Sequence, residues 1–257
     1  MDAVELFDMT GEVVLVSGAG TGIGRSIAMT LARHGARVAL TGRHADVLCK
    51  TQAMIKAQDG TSAFFPADLG DMSAVPRLFD EVERSFGTVS VLVNNAGLAR
   101  RVRSLEETDE GIASIMAINL DATLAMAREG ARRMIVADQP GSIINIGSAL
   151  SRVVMANTLA YSASKAALTQ ATRLLAKEWA RHGIRVNELR AGWFETGLTE
   201  PFLKDGAVGI LAGQVPLRRL GRLEPDSDLD GAILLLASRA GRYMTGSVVA
   251  VDGGFDL

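Results

Sequence analysis

Tyr161 and Lys165 stand four residues apart, and Ser148 lies thirteen residues upstream of the tyrosine. On a helix, residues at that interval share a face, so the ammonium can sit beside the phenol oxygen. A free phenol ionises near pH ~10, too high for acid-base work at neutral pH. An adjacent positive charge favours the phenolate, so Lys165 is expected to lower the tyrosine pKa toward the working range. Each unit of such a shift needs roughly 1.4 kcal/mol of differential stabilisation. Ser142–Gly147 read as a buried strand that delivers the Ser148 hydroxyl at its carboxyl end. A proton donor beside an orienting hydroxyl suits carbonyl reduction or alcohol oxidation. The Tyr–Lys spacing also occurs in helices without catalytic duty, so the rest of the chain has to place it.

Short β-branched runs alternate with longer helical patterns along nearly the whole chain. Strands are expected at Val13–Ser17, Val38–Thr41, Ser62–Pro66, Val89–Val93, Ser142–Gly147, Arg185–Leu189 and Ser247–Val251. Several are apolar at consecutive positions, as in a parallel sheet covered on both faces. Helices are expected near 22–34, 45–57, 71–86, 109–136, 160–182 and 227–238. This alternation implies right-handed βαβ units in an α/β, Rossmann-type doubly wound parallel sheet of about seven strands. The whole of 1–257 reads as one dinucleotide-binding and catalytic domain. Its least regular part, 193–222, is glycine-rich and is expected to form a substrate lid, although a plain surface insertion has the same composition.

The first strand runs straight into Gly18-Ala19-Gly20-Thr21-Gly22-Ile23-Gly24, and a helix follows. Missing side chains let the backbone approach a pyrophosphate, and the helix N-terminus offers it unpaired N–H groups. A tight turn without a ligand would read the same in isolation. The second strand ends at Leu40-Thr41-Gly42-Arg43, with no carboxylate to hold ribose hydroxyls or to repel a 2′-phosphate. Arg43 can pair with such a phosphate, so NADP(H) is favoured over NAD(H). A solvated arginine opening the next helix is the other reading.

The 257 residues are 48% hydrophobic and 22% charged, a packed globule and not a disordered chain. A net charge of -2 gives no electrostatic reason to expect nucleic acid or acidic membranes as partners. No apolar run is long enough to span a bilayer. The N-terminus has no hydrophobic leader, and a cytoplasmic location is the simplest expectation. Cys49 is the single cysteine and, flanked by Val47 and Leu48, is expected in a helix core. No metal site is expected.

Together these residues resemble the short-chain dehydrogenase/reductase family, in its branch of roughly 250 residues, over essentially the full chain. Ser17–Gly24 is similar to that family's cofactor turn, with serine at 17 in place of the usual threonine. Asn94-Asn95-Ala96-Gly97 matches its Asn-Asn-Ala-Gly motif, and Asp68-Leu69 falls where the family contacts adenine. Asn119, Ser148, Tyr161 and Lys165 match its catalytic tetrad in order and spacing. The resemblance implies that Tyr161 protonates the substrate oxygen, that Ser148 holds that oxygen, and that Lys165 binds the nicotinamide ribose. Asn119 would keep a water linking Lys165 to solvent. Cofactor contacts are thereby expected from Gly18, Thr21, Gly22, Ile23, Gly24, Arg43, Asp68, Leu69, Asn95, Ala96, Gly97, Tyr161, Lys165, Gly192, Phe194 and Thr196. One departure is clear: Ala191 stands where the family carries proline, removing a fixed φ angle. Arg190, at the end of a strand, has no explanation in the sequence.

The resemblance places Ser148, Leu150, Met155, Tyr161 and Trp193 around the substrate, which suggests an apolar pocket for a small carbonyl or alcohol compound. Arg100, Arg101 and Arg103 form the dense basic cluster near it, fit either to receive an anion or to stay solvated. The helix from Leu159 to His182 carries Ala and Leu on more than one face. In this family it pairs with its copy, so a homodimer or homotetramer is expected. The expected activity is an NADP(H)-linked carbonyl reductase or alcohol dehydrogenase; the alternative is a cofactor-binding sensor on the same fold with little turnover.

Overall fold

A computed structural model describes residues 3–203 and 207–257; the expected lid segment therefore includes residues 204–206, which lie outside the described residues. Seven parallel strands form one sheet in the order β3-β2-β1-β4-β5-β6-β7. A short α1 (Ala3–Leu6) leads into β1 (Val13–Ser17), α2 (Gly22–Arg33), β2 (Arg37–Gly42), α3 (Ala45–Lys56) and β3 (Thr61–Pro66). Then come α4 (Ala74–Phe86), β4 (Val91–Asn94) and α5 (Asp109–Met116), which passes through a π-helical stretch, Ala117–Ala122, into α6 (Thr123–Val136). The chain continues through β5 (Gly141–Ser148), α7 (Leu159–Trp179) and β6 (Ile184–Ala191). It ends with α8 (Glu200–Leu203), α9 (Ala207–Gln214), α10 (Asp230–Ala237) and β7 (Val248–Val251).

Alternation along β1 shows how both faces are covered. Val14 and Val16 enter a core shared with Ile27 and Leu31 of α2 and Ile233 and Leu236 of α10. Val13 and Leu15 enter the opposite core, with Phe79 of α4, Met126 of α6 and Ala176 of α7. Period-two geometry sends successive side chains to opposite faces, so a strand covered on both sides must be apolar throughout.

The expected elements form, with shifted ends. Helix α4 starts at Ala74 and not near 71, because the Asp68 and Asp71 carboxylates accept the Gly70 and Ser73 N–H groups in turns. The glycine-rich stretch expected to be irregular holds two short helices, α8 and α9. Cys49 is exposed. The buried stripe of α3 runs through Leu48, Thr51 and Ile55, and residue 49 lies outside that three- and four-residue rhythm.

Strand order reverses between β1 and β4, so their following segments leave in opposite directions and open a crevice beyond their carboxyl ends. Gly24 closes the base of that crevice. A Cβ there would collide with the Gly18 carbonyl oxygen and the Asn95 side-chain amide. Gly24→Ala is expected to lower stability by about 1–3 kcal/mol, the usual range for overpacking. Denaturant melts would read the change, and an unaltered midpoint would show that α2 is free to move away from the turn.

Candidate active site

The glycine turn after β1 takes left-handed backbone at Gly18 (φ 64°) and Gly22 (φ 53°), a region in which L side chains are strained. Thr21 caps α2 in an extended conformation, and its side chain makes no capping hydrogen bond. The first N–H groups of a 12-residue helix therefore face the cleft without a side-chain acceptor. The Ser17 hydroxyl accepts from the N–H groups of Asn95 and Ala96 at 2.9 and 3.0 Å, and Asn95 Nδ2 donates to the Ser17 carbonyl at 2.9 Å. These bonds lock the end of β1 to the start of the loop after β4.

A cleft of about 1500 Å³, counting its open mouth, runs over this edge of the sheet. Of the cofactor residues expected from the sequence, Gly18, Thr21, Gly22, Ile23, Arg43, Asp68, Leu69, Asn95, Ala96, Gly97, Tyr161, Lys165, Gly192, Phe194 and Thr196 all line it. Gly24 does not; its place is the contact between helix and turn. His44, Val47, Ile118 and Leu198 also line the cleft, and the sequence pattern held no signal for them because their reach depends on how the loops fold back. The residues fit a dinucleotide: uncapped helix N–H groups face a pyrophosphate position, and Arg43 is exposed with no ion-pair partner among the described residues.

Tyr161 and Lys165 lie on α7, both buried, with Ser148 at the end of β5. Lys165 Nζ donates to the Ile146 carbonyl at 2.8 Å and sits 5.9 Å from the centre of the Tyr161 ring. Burial raises the Tyr161 pKa above its ordinary value, and a hydrogen bond with Ser148 only partly opposes this. The expected lowering by Lys165 is thus overturned in this state. Desolvation of the phenolate prevails, and the lysine is itself lowered to about 8 by burial, with Glu188 acting against that shift.

Asn119 is fully buried in the π-helical stretch, a feature that often marks functional sites. Its side-chain oxygen accepts from Leu98 N–H at 2.8 Å, and its amide donates to the Leu98 carbonyl and the Ser164 hydroxyl. The side chain therefore ties the loop after β4 to α7.

A second, smaller pocket of about 390 Å³, again counting its open mouth, adjoins the cleft, and Ser148, Tyr161, Ala191 and Gly192 line both. Leu150 and Trp193 line it as expected, whereas Met155 packs behind the wall against the cluster of Trp193, Phe202, Leu211 and Val215. Phe202 and Phe255 complete the wall, with Trp193 ring centres 5.7 and 6.0 Å away. Phe255 comes from beyond β7, and sequence proximity could not have found it. The basic cluster stays outside: Arg100 pairs with Glu107 at 3.2 Å, Arg103 pairs with Glu106, and Arg101 is exposed. Ala191 needs no proline ring to hold its backbone, because β6 pairs it with Ser148 on one side and Val251 on the other.

The family model described as enoyl-(acyl carrier protein) reductase matches residues 18–256. Gluconate 5-dehydrogenase of Gluconobacter oxydans is 35% identical over 258 residues, covering 100% of this chain and 99% of the relative. Galactitol 2-dehydrogenase (L-tagatose-forming) of Cereibacter sphaeroides is 37% identical over 259 residues, covering 100% of both. Among solved structures, a gluconate 5-dehydrogenase from Burkholderia cenocepacia in complex with NADP and tartrate superimposes with a TM-score of 0.93 at 31% identity, covering 99% of this chain and 98% of that one. With a family model matched over nearly the whole chain, full-length relatives above 30% identity and a solved structure of the same fold, the chain belongs to the short-chain dehydrogenase/reductase family and is an oxidoreductase acting on hydroxyl or keto groups.

Proposed function

We propose that this protein is an NADP(H)-linked oxidoreductase that interconverts a compact, uncharged ketone and its secondary alcohol, with Tyr161 as the proton-transferring group. One observation carries the reading: the Ser148 and Tyr161 side chains form the shared wall between the dinucleotide-sized cleft and a small apolar cavity. A reacting carbon in the cavity thereby meets both the cofactor space and a proton donor. When bound, the nicotinamide ring supplies or accepts the hydride.

The chain's own residues do the rest. Tyr161 gives its proton to the substrate oxygen as negative charge develops there, and its raised pKa keeps it protonated at neutral pH, the form that reduction consumes. Ser148 donates to the same oxygen and orients it. Lys165, anchored on the Ile146 carbonyl, is placed to hold ribose hydroxyls. Asn119 keeps α7 in register with the cleft floor through Leu98 and Ser164. The cavity lining, with Leu150, Trp193, Leu198, Phe202 and Phe255, excludes water and offers no cation to a carboxylate among the described residues. That favours an apolar ketone over the sugar acids named for several relatives. The segment 193–222, which includes α8 and supplies Trp193 and Phe202, is the proposed lid, and 1–257 the single catalytic domain.

An exposed strip on α7 holding Leu159, Ala163, Ala166 and Leu174 supports assembly through this helix into a homodimer or homotetramer. No helix among the described residues is long and apolar enough to cross a membrane, and the cytoplasm is the proposed location. A binding-only sensor would share the cleft but would not need a protonated phenol at the mouth of an apolar cavity.

NADPH consumption with a panel of aryl and alkyl ketones tests the reading, since tight binding without turnover would favour the sensor. Tyr161→Phe is expected to cut the reduction rate by about 10²–10⁴-fold, the usual contribution of a positioned acid, with cofactor affinity nearly intact. Arg43→Ala is expected to weaken NADPH binding by about 10–100-fold, the loss of one charged pair at roughly 1.5–3 kcal/mol, and to leave NADH nearly unchanged. Equal effects on both cofactors would remove Arg43 from phosphate recognition. With Lys165 needed as the ammonium, kcat/KM is expected to fall as pH rises through about 8, and a rate that stays level to about pH 10, the ordinary lysine range, would contradict this.

A further inference from the structure

Arg190, unexplained by its place at a strand end, lies buried between two carboxylates. Its Nε donates to Glu188 Oε1 at 3.2 Å, and its Nη1 donates to Asp256 Oδ2 at 3.1 Å. Glu188 is fully buried, and its second oxygen, Oε2, has no hydrogen-bond partner. A buried carboxylate oxygen left without a donor is costly and calls for a physical reason.

The reason lies across one peptide unit. A Cβ on Gly147 would collide with Glu188 Oε1, so the carboxylate packs directly on Gly147. Lys165 Nζ donates to the carbonyl of Ile146, the residue just before it. Carboxylate and ammonium therefore flank the Ile146–Gly147 peptide, beneath the cleft that both of these residues line. Of the elements packed on α7, β5 and residues 149–151 bring no charged side chain. Asp109, Glu110 and Asp121 from α5 and the π-helical stretch are exposed, as are Arg181 and His182 at its far end. Tyr161, on α7 itself, is the titratable neighbour; β6 contributes Glu188 and Arg190, and Arg185 near its start is bonded away to the Leu236 and Ser238 carbonyls.

We propose that Glu188 is the counter-ion of Lys165, a positioning residue that keeps the buried lysine charged and so sets the alkaline limit of catalysis. The proposal rests on the reading of Lys165 as a working member of the oxidoreductase site. Burial pushes a lysine toward its neutral form, and a nearby carboxylate pushes it back. Arg190 shares that carboxylate and carries the network on to Asp256, which the exposed Arg152 also approaches at 4.0 Å, so Lys165, Glu188, Arg190 and Asp256 form a run of alternating charges. The site thus carries its own charge compensation before any cofactor binds.

The test is the pH dependence of kcat/KM for NADPH-linked ketone reduction, together with direct titration of Lys165 by NMR after reductive methylation. Glu188→Gln keeps the volume and removes the charge. It should move both the alkaline fall and the lysine titration downward by about one unit, a roughly tenfold loss on the alkaline side, with little change on the acid side. Glu188→Asp should restore the parent profile. A Glu188→Gln limb that stays in place, a loss equal at every pH, or an Asp variant that behaves like the Gln variant would overturn the proposal. If Glu188→Gln does not fold, Arg190→Gln decides instead: freeing the carboxylate should raise the lysine titration, and an unchanged or lowered one overturns the idea. If the parent chain turns over no ketone, the oxidoreductase reading fails alone, because the lysine titration still reports on Glu188.

Discussion

Everything at the catalytic edge depends on how the ends of β1 and β4 are held together. Across the point where strand order reverses, the Ser17 hydroxyl accepts from the Asn95 and Ala96 N–H groups, and the Asn95 side-chain amide donates to the Ser17 carbonyl. Without that clamp the two following loops, which leave in opposite directions, would have no fixed spacing. With it, the glycine turn presents its N–H groups on one side and the Asn95–Gly97 loop walls the cleft on the other. Serine suffices where the family usually carries threonine, because the oxygen, and not the methyl, makes the bonds.

A second layer of buried polar bonds transmits this order to the chemistry. Asn94 Nδ2 donates to Asn145 Oδ1 at 3.0 Å, and Asn145 Nδ2 donates to Thr172 of α7 at 2.9 Å. Asn119 joins the loop after β4 to Ser164 on the same helix. Tyr161 and Lys165 are thus placed by a helix hydrogen-bonded to the sheet through Asn145 and to the π-helical stretch through Asn119, in addition to its apolar packing. Buried polar networks of this kind favour one geometry over near alternatives, since a slip would leave further buried groups unsatisfied, as Asn94 Oδ1 already is.

Much of this was legible in the chain alone, for reasons that differ by feature. Uniformly apolar strands such as Val13–Val16 announce a sheet covered on both faces, and the glycine turn announces itself because backbone conformation dictates its residue types. Ser148, Tyr161 and Lys165 could be singled out because their spacing is local and their motif distinctive, and the structure brings them to one cleft. Failures came where distant segments decide. Arg190 makes sense only beside Asp256, and Phe255 reaches Trp193 only after β7 has paired with β6. Gly24 and Met155, expected at ligand contacts, lie outside the residues that line the cleft and the cavity. Lys165 was expected to acidify Tyr161 from helix spacing, but spacing along a helix says nothing about burial, and burial sets the direction for the phenol.

The tight fit between Gly147 and Glu188 makes those two positions interdependent. A larger residue at 147 has nowhere to go while the glutamate is present, since its carboxylate occupies that space. Shortening position 188 first would open the room but leave Arg190 with Asp256 as its remaining partner. The chain can therefore drift at this spot only in a particular order, with 188 changing ahead of 147 and the arginine following. Designers grafting this strand pair onto another scaffold inherit the same sequence of moves.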